Sequence, residues 1–170
     1  MRIRNAYWTA LFLAFSRAAE PCSITGPVLP EEIVRGSDAI VRAIAVEYAR
    51  PPKDPTIWTT GEPDSQVRFR TIEVVKGRDV PSVIVLPGYI DDRDDFNDVK
   101  VPYTFVRPGG RHGSCFANSY RQGAEFLLML KKRADDSYTV NWYALGPVNE
   151  QLRSAEDPWL LWVREQVGKR

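Results

Sequence analysis

Residues 125–132 have the sequence EFLLMLKK, and this stretch decides the fold class. Its five central residues, 126–130, are all apolar, so a strand built from them is apolar on both faces. Charged residues bound the run at both ends. A short apolar run of this kind is typical of a strand in a barrel wall that is covered from outside by a helix or a loop. The stretch therefore predicts a buried strand in a mainly β protein.

Alternating or continuous apolar patterns predict four more strands around this one. They lie at residues 37–48, 66–76, 80–86 and 138–145. The last of these forms a hairpin with 125–132 across the turn at 134–137. Within 66–76 the apolar positions change phase near Thr71, which predicts a β-bulge or a sharp bend. A further short strand is considered at 101–106.

Two helices are expected beside these strands. The first lies near residue 31, where Pro30 stands at the start, Glu31 and Glu32 fall in the first turn, and Gly36 ends the helix. The second is an amphipathic helix at the C-terminus, residues 157–168, with Asp157 as N-cap. Its apolar stripe comprises Trp159, Leu160, Trp162, Val163 and Val167.

The composition of the chain disfavours several classes of function. The chain has 170 residues, of which 44% are hydrophobic and 26% charged, as expected for one globular domain. The formal net charge of +1 does not favour nucleic-acid binding. His112 is the only histidine, and the chain contains no GxSxG motif, so neither a serine hydrolase nor a zinc site is favoured. No catalytic residue and no cofactor are assigned.

Residues 1–19 resemble a secretory signal peptide. Arg2 and Arg4 form a basic start, residues 6–15 form a mostly apolar stretch, and Ala19 offers a cleavage site. A buried N-terminal helix is the alternative. The apolar stretch is shorter than the roughly 20 residues that span a bilayer, so no membrane span is expected. Export predicts a secreted, periplasmic or cell-envelope protein, with residues 20–170 as one domain.

The chain has two cysteines, Cys22 and Cys115. In an oxidising compartment they are expected to form a disulfide, and closing so long a loop would stabilise the fold by about 4–5 kcal/mol in the chain-entropy model. Two free, buried thiols are the alternative if the protein is not exported.

Three stretches resemble netrin-like domains and tissue inhibitors of metalloproteinases. They are SDAIVRA at 37–43, FRTIEVVKG at 69–77, and Cys115 followed by GAEFLLML at 123–130. The resemblance covers residues 22–146 and lies in the order of the segments. It implies a five-stranded OB-type barrel. The implied function is an exported, non-enzymatic binding protein whose partner is another protein or a cell-envelope component.

The same resemblance implies an alternative function as a metalloproteinase inhibitor. Those inhibitors bind the enzyme's zinc through the amino group and carbonyl of an N-terminal cysteine. Cys22 and Ser23 match the first two positions, whereas Ile24 replaces the next expected cysteine. Inhibition in this manner requires Cys22 to be the mature N-terminus, but cleavage after Ala19 leaves two residues ahead of it.

An acidic run, Asp91, Asp92, Asp94 and Asp95, is the candidate metal site. Its carboxylates suit calcium, although the spacing departs from the EF-hand pattern. A solvated loop is the alternative. The long connections 49–65 and 87–114 are the segments in which a partner-binding site is expected.

Two further groups of side chains have competing interpretations. Cations at Arg107, Arg111 and 131–133 could contact an acidic polymer, or they could lie in solvated turns. Trp142, Trp159 and Trp162 could line a ligand groove. Alternatively, Trp159 and Trp162 are spaced so that both pack the C-terminal helix against the barrel.

Overall fold

The computed structural model describes residues 29–54, 62–111 and 115–169. These residues form a mainly β fold, as predicted. The elements are α1 (Pro30–Gly36), β1 (Ala39–Arg50), β2 (Gln66–Lys76), β3 (Val83–Pro87), β4 (Tyr89–Asp91), a 3-10 turn (Pro108–Gly110), β5 (Ser119–Arg121), β6 (Glu125–Lys132), β7 (Tyr138–Val140), β8 (Asn149–Leu152) and α2 (Pro158–Gly168).

The main sheet is antiparallel and follows the order β3-β2-β1-β6-β7, with β8 also paired to β6. Strands β4 and β5 form a separate parallel pair. The two ends of the path, β3 and β7, contact each other. No hydrogen-bonded ladder joins these two strands in the described chain. The sheet therefore curls until its edges meet, without closing as a hydrogen-bonded barrel.

The predicted irregularity near Thr71 is confirmed. Arg42 pairs with Glu73 and the next residue, Ala43, pairs with Thr71, so the ladder between β1 and β2 omits Ile72. An extra residue on one strand bends that strand and increases its twist. Further register shifts occur along the same pair of strands. These shifts supply the curvature that brings β3 round to β7.

Strand β6 is buried on both faces, as its sequence predicted. Its residues 126–130 are all inaccessible to solvent. On the inner face, Phe126 and Tyr120 pack edge to face with ring centroids 5.2 Å apart, and Tyr120 packs similarly on Phe69 at 4.8 Å. Edge-to-face packing is a favoured arrangement for buried aromatic rings. This aromatic cluster joins β6, β5 and β2 in one core.

Three strand predictions need correction. The third strand begins at Val83 instead of residue 80, the strand predicted at 138–145 ends at Val140, and residues 101–106 do not form a strand. Strand β8 was not predicted, nor was the pair β4 and β5. The physical reason lies at Met129. Its carbonyl accepts from Asn141 N at 2.7 Å and its amide donates to Val148 O at 2.8 Å, so the chain leaves the β6 edge and returns to it.

Both helices occur where the sequence placed them. Asp157 caps α2 by accepting a hydrogen bond from Trp159 N at 2.9 Å, which satisfies one of the free amides of the first turn. Trp159 is fully buried and stacks on Tyr103 and on Trp162. The packing interpretation of Trp159 is therefore confirmed, whereas Trp142 is 60% exposed. None of the helices in the described ranges is long and apolar enough to span a bilayer.

Candidate functional site

The segment between β4 and β5, residues 92–118, is called the β4–β5 connection. A buried arginine lies at the centre of the polar contacts between this connection and the sheet. The guanidinium carbon of Arg107 lies 5.6 Å from the ring centroid of Tyr120 and 5.4 Å from that of Phe126. Its side chain has no exposed surface. The guanidinium donates to Asn149 O at 3.1 Å, to Ser119 O at 2.7 Å and to the carboxylate of Asp95. A charge buried this deeply needs these partners, because desolvating an unpaired ion costs several kcal/mol.

Glu150 on β8 lies against the same connection and is fully buried. One carboxylate oxygen accepts from Asn97 Nδ2 at 2.8 Å, and the other accepts from the backbone amide of Arg107 at 3.3 Å. Burial raises the pKa of Glu150 to about 7, although Arg107 and Asn97 both favour the ionised form and oppose that rise. Glu150 therefore changes charge near neutral pH.

The acidic run is divided among several arginines. Asp94 contacts Arg121 at 2.6 Å, Asp95 contacts Arg107, Asp91 contacts Arg93 at 3.1 Å, and Asp98 contacts Arg111. Hydrogen bonds from Arg121 and Arg111 lower the pKa of Asp94 and of Asp98 respectively. For Asp91, burial acts to raise the pKa, but hydrogen bonds from Arg93 and from nearby backbone amides outweigh it and lower that pKa.

This division bears on the calcium hypothesis. Asp91 and Asp92 line an open depression together with Ile90, Arg121 and Gln122. Asp94 and Asp95 instead accept hydrogen bonds from other parts of the chain. Among the residues in the described ranges, no group of three or more His, Cys, Asp or Glu side chains is placed to hold a metal ion. We base no proposal on calcium.

Together these contacts fasten the β4–β5 connection to β8. Gln151 accepts from Asp95 N at 2.8 Å and donates to Asp94. Asn97 bridges the connection to Glu150, and Arg107 bridges it to Asn149. The connection thus supplies hydrogen-bond partners for the buried side chains of Glu150 and Gln151, whereas Asn149 Oδ1 has no partner among the described residues. These contacts hold much of the long connection 87–114 against the sheet. Arg107 within it is buried, so it is not available to an acidic polymer.

Three of the other candidate cations also have ion-pair partners within the protein. Arg111 pairs with Asp98, Lys131 lies 3.3 Å from Asp38, and Lys132 lies 2.7 Å from Asp136. These pairs favour the interpretation of the basic stretch as a solvated turn.

A different surface exposes apolar side chains. Val83 and Val85 on β3 are 45% and 38% exposed, and Ile72 on β2 is 39% exposed. Val83 pairs with Arg70 and Val85 with Arg68, so these side chains share one face of the sheet. We call Arg68, Arg70, Ile72, Val83 and Val85 the β2–β3 outer face. Sequence reasoning missed it, because residues 83–86 are all apolar and give no alternation that separates the outer from the inner side.

Several predicted site residues lie outside the described residues. They are the signal peptide at 1–19, the segment Cys22, Ser23 and Ile24, and His112. Cys115 is described, and its carbonyl accepts from Leu145 N at 2.8 Å. The Cys22–Cys115 disulfide and the inhibitor segment stay predictions.

Replacing Glu150 with glutamine should remove a pH dependence of stability. The folded pKa of about 7 exceeds the usual 4.5. Folding therefore favours the protonated form, and stability is lost as the pH rises from about 4.5 to 7. The loss amounts to about 3 kcal/mol for a shift of this size. Urea unfolding of Glu150→Gln at several pH values should lack this slope. Glu156→Gln, at an exposed position, is the control and should keep it; a Glu150→Gln variant with the wild-type slope contradicts the prediction.

Comparison with known proteins assigns no family to the chain. No family model matches the sequence, and no curated protein matches it either. Function is therefore inferred from the contacts and surfaces described above.

Proposed function

We propose that this protein is an exported, non-enzymatic binding protein that contacts another protein through the β2–β3 outer face of a netrin-like OB-type barrel. The observation that carries the proposal is the exposure of Ile72, Val83 and Val85 on one face of two paired strands. Their exposed fractions contrast with the complete burial of Phe69 and Leu86 on the other face.

The composition of the outer face supports a protein partner. Contiguous exposed apolar side chains mark contact sites more often than scattered single ones do. Arginine is enriched in protein–protein interfaces, and Arg68 and Arg70 lie among the valines of this face. A surface on which arginines pair directly with exposed valines suits burial against a second protein.

The sheet supports the OB-type interpretation. An OB barrel is a partly open barrel of five strands. The path β3-β2-β1-β6-β7 has five strands, and its two end strands contact each other. The bulges between β1 and β2 supply the bending that barrels need at their corners. Strand β8 extends this sheet along β6, and strands β4 and β5 form a separate pair.

The buried polar cluster supports binding over catalysis. Arg107, Glu150, Asn97 and Asn149 bond to one another or to the backbone inside the protein. Glu150 and Arg107 have no exposed surface that could meet a substrate. Their contacts fix the β4–β5 connection to the sheet.

Photo-crosslinking in the cells that produce the protein tests the proposed surface. A benzophenone side chain at Val83 should form a covalent adduct with one partner protein. The same group at Leu161, which is similarly exposed but lies on α2, is the matched control and should not form that adduct. Adducts of equal yield from both positions, or none from Val83, would contradict the proposal.

The intact mass of the protein, alkylated without reduction, tests export separately. A chain that begins at Glu20 and carries no alkyl group supports export and the Cys22–Cys115 disulfide. A chain that retains Met1 and carries two alkyl groups overturns both. A chain that begins at Cys22 would instead support the inhibitor function.

A further inference from the structure

We infer that the β2–β3 outer face binds an extended acidic segment of the partner, with a carboxylate placed on Arg70. This inference rests on the proposed function and specifies the chemistry of the partner. It follows from the environment of Arg70, from the spacing of the outer side chains, and from the charges beside them.

Arg70 lies between apolar neighbours on the two adjacent strands. It pairs with Val83 on β3 and with Ile44 on β1. Arg70 is exposed and has no ion-pair partner among residues 29–54, 62–111 and 115–169. By contrast, the next outward arginine, Arg68, already pairs with Glu47. The outer face therefore carries one uncompensated positive charge within an apolar surface.

That charge restricts which partners can cover the face. A purely apolar partner would remove water from the guanidinium of Arg70 and leave it unpaired, which costs several kcal/mol. A carboxylate on the partner can accept two parallel hydrogen bonds from the guanidinium and restore the lost hydration energy. Burial of Val83 beside such a pair would also exclude water from it. The outer face therefore favours a partner segment in which apolar side chains flank an acidic one.

The spacing indicates an extended conformation for the partner segment. Arg68 and Arg70 point outward two residues apart on β2, opposite Val85 and Val83, and Ile72 is exposed beside them at the bulge. Side chains on one face of an extended chain repeat with the same period of two residues, and two such layers pack face to face. An extended segment on this face can therefore place an acidic side chain on Arg70 and apolar side chains over Val83 and Val85.

Other occupants fit the same face less well. A second copy of this chain would bring a second Arg70 to the surface, and the nearby Glu47 is already paired with Arg68. An anionic membrane surface is normally bound by clusters of several lysines or arginines, together with bulky apolar side chains. On the outer face, Arg70 alone has no ion pair with any residue that the structure describes. An acidic protein segment is thus the favoured occupant.

Two short synthetic peptides test the inference on the full-length oxidised protein. One alternates valine with glutamate, and the other replaces each glutamate with lysine. We expect the glutamate peptide to bind more tightly, by at least about tenfold, as measured by fluorescence anisotropy. Arg70→Glu should reverse this preference. Arg35→Glu makes the same charge reversal on α1 and is the control, which should keep the wild-type preference.

The outcomes separate this inference from the proposed function. Circular dichroism first verifies that each variant is folded, and Arg70→Gln replaces Arg70→Glu if the latter is not. Equal binding of both peptides overturns the acidic segment, and the Val83 crosslink, if it forms in cells, still supports the proposed function. Self-association that Val83→Asp abolishes, or binding to anionic vesicles that Arg70→Gln abolishes, also overturns the acidic segment. Loss of the Val83 crosslink overturns the proposed function itself.

Discussion

Replacing Arg107 with alanine should lower the free energy of unfolding by about 3–5 kcal/mol, the usual cost of removing one partner from a buried ion pair. The change leaves the carboxylate of Asp95 without its ion-pair partner and the carbonyls of Asn149 and Ser119 without a donor. It also removes a positive charge that favours the ionised form of Glu150. It also opens space above the rings of Tyr120 and Phe126. Urea unfolding followed by circular dichroism at pH 7.5 measures the loss.

Two further variants separate charge from packing. Arg111→Ala removes an arginine whose partner, Asp98, is largely exposed, and it should cost no more than about 1 kcal/mol. Adding Glu150→Gln to Arg107→Ala should recover part of the lost stability, because the unpaired carboxylate is removed. Strictly additive effects of the two substitutions would show that Glu150 and Arg107 do not interact.

Replacing Trp159 with alanine should cost about 3–5 kcal/mol, since it removes the largest fully buried side chain. Trp159 connects α2 to the connection after β4 by stacking on Tyr103, with ring centroids 4.9 Å apart. Trp159→Phe should cost less than Trp159→Ala, because it retains an aromatic ring and removes an indole N–H that has no hydrogen-bond partner among the described residues.

Trp142→Ala is the matched control for this position. Trp142 is 60% exposed, so its replacement should change the free energy of unfolding by less than about 0.5 kcal/mol. Because each variant loses a fluorophore, circular dichroism should follow the unfolding. Equal losses from the two tryptophans would contradict the packing of α2 described here.

The segments that sequence patterns predicted well are those with a clear apolar period or clear end signals. Strand β6 and strand β2 have the predicted bounds, and α1 and α2 begin at the prolines that marked them. The bulge at Ile72 was visible as a change of apolar phase. In each case a local pattern and the tertiary environment favour the same structure.

Strand β8 was missed for a physical reason. Its sequence, NEQL, has three polar residues in a row, yet all four residues are buried. Their burial depends on hydrogen bonds to residues 94–107. The sequence of β8 alone gives no sign of these contacts. The same holds for the acidic run. The carboxylates were visible in the sequence, whereas their division among Arg93, Arg107, Arg111 and Arg121 depends on tertiary contacts.

The bonds between the β4–β5 connection and β8 also set an order for the chain as it is synthesised. Arg107 and Asn149, whose carbonyl accepts from the guanidinium, are 42 residues apart, so the arginine leaves the ribosome well before this acceptor exists. Strands β1 to β3 can assemble earlier, because their pairings are closed by residue 87. The connection cannot reach its final conformation until β8 has emerged. Completion of this part of the fold is therefore coupled to the synthesis of β8.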